Sequence, residues 1–308
     1  MMRRSTRICT AATIALASCL VAESLLAQMP SRRRVMLDEA HHNIMATASG
    51  GYRPLVHLLT EAGFTVTPHA LPFAPDELAM TDILVIANPN GADQRASAER
   101  RARSAFTSGE IESVESWVRN GGAVLLVTDH YPAAVAVRPL AERFGVKLSG
   151  GWTDDLAHRW ALPAYGQTFG YLVFSIENGL LADHPITRGY DEWEQVEGVA
   201  TLSGGSMEGP AGSVSLLRLS RTAVDVIPSS VPGEPSSATS QAPAADVHPC
   251  PSCDQVSAAG RSQAIAFEFG RGRVVVMGDA DALVGYSVPG MQNRQFALNV
   301  VRWLAGEL

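Results

Sequence analysis

Three short runs, Asp82 to Ala87, Ala123 to Val127 and Val274 to Met277, are apolar almost throughout. A strand with one wet face alternates apolar and polar residues, whereas an unbroken run needs cover on both faces, the condition of a parallel strand between helices. The segments around these runs supply that cover. Tyr52 to Ala62 carries Leu55, Leu58, Leu59 and Ala62 at helical spacing and stops at Gly63. Ser108 to Asn120 does the same with Ile111, Val114, Trp117 and Val118; Glu110 and Glu112 stand near its start and Gly121-Gly122 ends it. Val35 to Asp38 and Phe64 to Thr67 read as further strands, Pro139 to Phe144 as helix, and Asn293 to Leu304 as a closing helix. Alternation of this kind predicts an open, doubly wound α/β sheet.

After Gly145 the pattern loosens. Tyr171 to Ile176, Leu216 to Leu219 and Ala223 to Ile227 are strand candidates, the last two expected to form an antiparallel extension. Residues 228–262 are rich in Pro, Ser, Ala and Gly without periodicity and read as a long disordered loop inserted in the domain. Gln263 to Phe269, then a Gly270-Arg-Gly-Arg turn, return the chain to regular structure. With 308 residues, 46% hydrophobic and 18% charged, the chain has material for one large core, assigned to residues 33–308. A net charge of -7 without a long basic run argues against nucleic acid as a partner.

Residues 1–27 read as a signal peptide. Arg3, Arg4 and Arg7 precede a largely apolar stretch from Ile8 to Leu26, the order of an export signal. Leu16-Ala17-Ser18-Cys19 resembles a lipobox that would lipidate Cys19, while Ala15-Leu16-Ala17 and the Leu-Leu-Ala ending at Ala27 suit ordinary cleavage. The expected location is the periplasm or cell envelope, with membrane contact only through the signal or a lipid anchor. No other stretch reaches the roughly 18 apolar residues of a spanning helix. Outside the signal the cysteines are Cys250 and Cys253, whose spacing in an oxidising compartment favours a disulfide over a metal clip with His248.

In doubly wound sheets ligands bind beyond the carboxyl ends of the strands. Those ends carry Asp38, His41, His42 and Asn43, then Asn88 and Asn90, then Asp129, His130 and Tyr131, then Asp279 and Asp281. Singly, each has a bland reading: an Asp caps a helix or closes a turn, an Asn makes a turn, a His is a hydrogen-bonded core residue. Together they predict a crevice that binds a small polar ligand. No cofactor is implied; Asp38, His41, Asp129 and His130 are the residues that would hold a divalent ion, without a compact ligand pair among them. The Gly-Gly pairs at 50–51, 121–122, 150–151 and 204–205 match no nucleotide loop, and no Gly-x-Ser-x-Gly elbow is present.

Strand-Asp-x-x-His-x-Asn at 38–43, "ILVIANPNG", "EIESVESWVRNGGAVLLVTDHYP", "LADHPITRGY" and "GRGRVVVMGDADALVG", taken in order, resemble a class I glutamine amidotransferase-like domain. The likeness spans about residues 33–305, apart from the loop near 229–260. It is to an uncharacterised exported bacterial branch related to gliding-motility, ABC-transport auxiliary and trehalose-utilisation-type domains. The resemblance implies a flavodoxin-like sandwich, a mostly parallel sheet with an irregular insertion. It also implies a nucleophilic Cys on the turn occupied here by Thr128-Asp129-His130, where no cysteine stands. Thiolate chemistry is therefore not carried over. Two functions remain: a non-catalytic domain that holds a small polar molecule, glycan or envelope protein, and a hydrolase in which Asp129 and His130 activate water on a glycan or amide, with or without a metal.

Overall fold

The apolar runs become strands with cover on both sides. The computed structural model describes residues 33–47, 51–161, 170–202, 204–233, 253–284 and 288–308. In chain order the elements begin β1 (Arg34–Asp38), α1 (Arg53–Glu61), β2 (Thr65–His69), α2 (Pro75–Leu78), β3 (Ile83–Ala87), α3 (Ala98–Arg101), α4 (Ser108–Arg119), β4 (Ala123–Val127) and α5 (Ala133–Arg143). There follow β5 (Lys147–Leu148), β6 (Trp152–Asp154), β7 (Arg159–Ala161), β8 (Gly170–Ser175), α6 (Pro185–Arg188), β9 (Gly198–Leu202), β10 (Met207–Glu208), β11 (Val214–Arg218) and β12 (Val224–Pro228). The chain closes with β13 (Cys253–Ser257), β14 (Ser262–Phe269), β15 (Gly272–Met277), α7 (Asp281–Val284) and α8 (Asn293–Leu304).

The main sheet runs β2-β1-β3-β4-β15-β14-β10-β5, with β11 also paired to β14. From β2 to β15 every pairing is parallel; from β15 onward the pairings are antiparallel. Alternate strand residues divide the core. Leu37, Val85, Leu125 and Val275 pack with Leu55 and Leu59 of α1 and Phe296 and Val300 of α8. Met36, Leu84, Val124 and Val276 pack with Ile111 and Val114 of α4 and Leu140 of α5. Helices on both faces of a largely parallel sheet make this a flavodoxin-like α/β sandwich.

Two expectations change. The strands at 214–218 and 224–228 do not pair with each other: β11 joins β14 in the main sheet, and β12 lies between β6 and β13 in a small second sheet. The cause is polar. Buried Asp225 accepts from Thr153 Oγ1 at 2.7 Å and Ser206 Oγ at 2.6 Å, which ties β12 to β6 rather than to its chain neighbour. Residues 253–257, read as part of the loop, form β13, an edge strand half-buried at every position and so without apolar alternation. A third sheet, β7-β8-β9, packs Leu172, Phe174 and Val199 into the core shared with α1 and α8. The expected signal at 1–27, with Cys19, and Cys250 lie outside the described residues; Cys253 is disulfide-bonded. Among the described residues no helix is long and apolar enough to cross a membrane.

Candidate functional site

Strand order reverses at β1, which has β2 on one side and β3 on the other, so the loops leaving their carboxyl ends part there. The loop after β1 is held by its own polar groups. Asp38 is fully buried; its Oδ1 accepts from the Ala40 N–H at 3.1 Å and meets His41 Nδ1 at 2.8 Å, and its Oδ2 accepts from Asn43 Nδ2 at 3.0 Å. His41 Nε2 lies 2.8 Å from Glu110 Oε1 of α4. Phe73 and Phe106 flank the imidazole with centroids at 4.8 and 4.7 Å. Burial pulls the imidazole's pKa down, but hydrogen bonding and charge from Asp38, then from Glu110, outweigh it and hold it above the ordinary value. Both ring nitrogens of His41 therefore face carboxylate oxygens at 2.8 Å, an arrangement that favours the protonated ring. Both nitrogens are already engaged within the protein, and Asp38 has no idle oxygen. These two residues hold the loop after β1 together and are not open to a ligand. His42 is exposed with φ 49°, and Asn43 serves Asp38 and the Ala87 carbonyl.

At the end of β3, Asn88 adopts φ 44°, a left-handed conformation that Asn tolerates better than most residues. Its N–H donates to the Val127 carbonyl at 3.0 Å, and the Asn90 N–H donates to the His41 carbonyl at 2.8 Å. Both side chains are buried. Neither amide oxygen has a hydrogen-bond partner among the described residues, nor does the Tyr131 hydroxyl. Buried polar atoms without partners are few in native proteins and call for an explanation.

The ends of β4 and β15 lie side by side. Met277 pairs with Val127, and the Thr128 N–H donates to the Met277 carbonyl at 2.9 Å, which brings Asp129 and Asp279 to one level. Asp129 keeps 31% of its side-chain surface exposed and accepts from the His130 N–H at 2.8 Å. The His130 ring is 42% exposed, with Nδ1 3.0 Å from the Tyr131 carbonyl and Nε2 3.7 Å from Asp129 Oδ1. Asp279 is buried and accepts from the N–H groups of Leu202 and Asp281. Burial, then the charges of Asp129 and Asp281, lift its carboxyl well above the ordinary range. Asp129 is raised by burial against the opposing pull of His130, and Asp281 by burial.

Sequence reasoning passes over two contributors. The Gly204-Gly205 pair packs its backbone against this corner: a Cβ on Gly204 would come 2.4 Å from Asp279 Cβ, and the Gly205 N–H donates to the Gly278 carbonyl at 2.9 Å. Its doubled glycine is the available signal. Glu110 reads in the sequence only as an acid near a helix start; Glu three residues after Thr107 is the capping-box signal.

Asp38, His41, Asp129 and His130 do not form a ligand set. Among the described residues no three His, Cys, Asp or Glu side chains are disposed to hold a metal ion. Thr128, Asp129 and His130 also lack the positive φ that a strained nucleophile turn would show. A cavity of about 760 Å³ lies elsewhere, around the β14–β15 turn, where Phe144, His184, Phe269 and Trp303 line it at the opposite end of β15 from Asp279. That cavity has the size of a ligand site, but the convergent polar groups lie at the strand ends.

No family model matches the chain, and no curated protein does. Among solved structures it is similar to the mmIFT52 N-terminal domain, at 12% identity and a TM-score of 0.56 over 88% of this chain and 96% of that one. A GMP synthase-type protein from Thermoplasma acidophilum gives 10% identity and 0.44, over 90% of this chain and 96% of the other. A ThuA-like protein from Parabacteroides merdae gives 12% and 0.43, over 89% and 90%. At such identities likeness speaks to fold alone, and the fold is the flavodoxin-like α/β sandwich described above.

Proposed function

We propose that this chain is an exported cell-envelope protein whose amidotransferase-like domain binds a small, donor-rich polar ligand at the carboxyl ends of β3, β4 and β15. A glycan or amino sugar has the required chemistry. One observation carries the reading: the strand ends hold an excess of acceptors. The oxygens of Asn88 and Asn90 are unmatched, against one unmatched hydroxyl at Tyr131, and three carboxyls, Asp129, Asp279 and Asp281, are crowded together with the half-exposed His130 ring beside Asp129. A ligand bearing hydroxyls or an amine would supply the missing donors, whereas a further acceptor would worsen the crowding.

The raised carboxyls of Asp129 and Asp279 favour a second reading, a hydrolase in which Asp129 acts as general base on water. The missing nucleophile and the occupied nitrogens of His41 weigh against it. One experiment separates the two. Neutral sugars, amino sugars and primary amides are screened by thermal shift and scored for turnover. The binding reading expects a donor-rich compound to stabilise the protein, by about 2.7 kcal/mol at a hundredfold excess over Kd, without turnover. Asn90→Leu removes an acceptor at similar volume and should abolish that response. Turnover that disappears in an Asp129→Asn/His130→Ala double variant would establish the hydrolase instead, and stabilisation retained in Asn90→Leu would displace the ligand from these strand ends.

A further inference from the structure

The loop between α6 and β9 holds two aromatic side chains in water. Tyr190 and Trp193 are 78% and 85% exposed, the most exposed large hydrophobic residues among those described. Fraying does not account for this. Asp191 Oδ1 accepts from the N–H groups of Trp193 at 2.9 Å and Glu194 at 3.2 Å, closing a turn. The Glu194 carboxylate pairs with Arg302 of α8 and accepts from the Tyr190 N–H at 3.1 Å, and its backbone carbonyl accepts from Asn299 Nδ2 of α8 at 2.9 Å. Gly189, at φ 66°, lets the chain pass so close that a Cβ there would lie 2.5 Å from Glu194 Cβ. The loop is clamped to α8 while its two rings face solvent, the reverse of how Trp and Tyr are usually disposed.

Charge decides what would cover them. Glu194 is neutralised by Arg302, and Arg188 by Asp183 at 2.8 Å. Asp191 and Glu192, also exposed, enter no ion pair among the described residues. Two uncompensated carboxylates thus lie between two aromatic residues whose ring faces are themselves electronegative. An anionic partner would be repelled, and a neutral sugar could stack on the rings and donate to the carboxylates but would gain nothing from their charge, which a cationic partner gains from both rings and both carboxylates at once. We infer that the Tyr190–Trp193 loop docks a basic segment of a partner protein, with Arg or Lys cations set over the rings and against Asp191 and Glu192. The rigid clamp lowers the ordering cost of such a contact, because the anchors are already in place.

The test titrates the full chain with an octapeptide of alternating Arg and Ser, followed by calorimetry and tryptophan emission, beside a neutral chito-oligosaccharide. Saturable binding of the peptide that weakens as salt is raised is expected, with no binding of the oligosaccharide at Trp193. Trp193→Ala should weaken the peptide about tenfold, as loss of an aromatic anchor does, and Glu192→Gln about threefold, as loss of one exposed charge contact does. Neither variant should shift the melting temperature, because both side chains are exposed. Equal affinity for Trp193→Ala and the unaltered chain, the absence of peptide binding, or oligosaccharide binding lost in Trp193→Ala would each overturn the inference.

Discussion

His184 works as a helix cap only while it lacks a proton on Nδ1, which accepts from the Ile186 N–H at 3.2 Å to start α6. Burial, then the charge of Arg188, with Arg273 adding and Asp183 opposing, lowers its pKa to about 4. The unfolded chain takes up a proton near 6.5 and the folded one does not. The cap's contribution is therefore present above 6.5 and is lost as pH falls toward 4, an effect of about 2 kcal/mol once solvent screening is allowed for. Asn caps a helix without titrating, so urea midpoints measured at pH 7 and 4.5 should lie closer together in His184→Asn than in the unaltered protein; an unchanged gap would refute the assignment. His41 has the opposite sign. Its pKa is raised, so its contribution is full below the unfolded value of 6.5 and is lost as pH rises through the folded one. In the linear chain His41 and His130 look alike, each close behind a strand-ending acid. What separates them is Glu110, 69 positions away, which occupies the second nitrogen of His41 and leaves His130 half-exposed.

Helix α4 carries that distant partner. Thr107 and Glu110 form a reciprocal capping box, and Glu110 also accepts from the Phe73 N–H at 3.2 Å and from His41. One residue thus starts the helix and joins it to the loop after β1. Thr107→Ala should cost about 1 kcal/mol, the usual loss of a cap. Glu110→Ala should cost roughly 2–4 kcal/mol, the cap together with a hydrogen bond to a charged group, because it leaves His41 with Asp38 as its one carboxylate. Chemical denaturation of the two variants checks the order; equal losses would reduce Glu110 to a cap. Elements of this kind were the readable part of the sequence: α4 shows its stripe and stop, and β3 and β4 show the apolar run of a strand covered on both faces. Of the second sheet, β12 was readable as a strand, but its pairing and the strand β13 were not. The partners of Asp225 decide where β12 pairs, and β13, half-buried along its length at the edge, shows no apolar alternation.

For the molecule as a whole, strand order is what turns scattered residues into a site. Asp129 and Asp279 are 150 positions apart, and the parallel pairing of β4 with β15 makes them neighbours. Their position at strand ends was legible from the alternation of strands and helices alone. Their electrostatic state was not, since it depends on burial under the Gly204-Gly205 backbone and on the charges the carboxyls set against one another. The central claim is that these strand ends form one acceptor-rich, mutually repelling group. Carbon-13 NMR titration of the Asp279 carboxyl tests it most directly, in the unaltered chain and in Asp129→Asn. The account predicts a midpoint well above 3.8 that moves down when the Asp129 charge is removed. A midpoint near 3.8 that is indifferent to Asp129→Asn would contradict it.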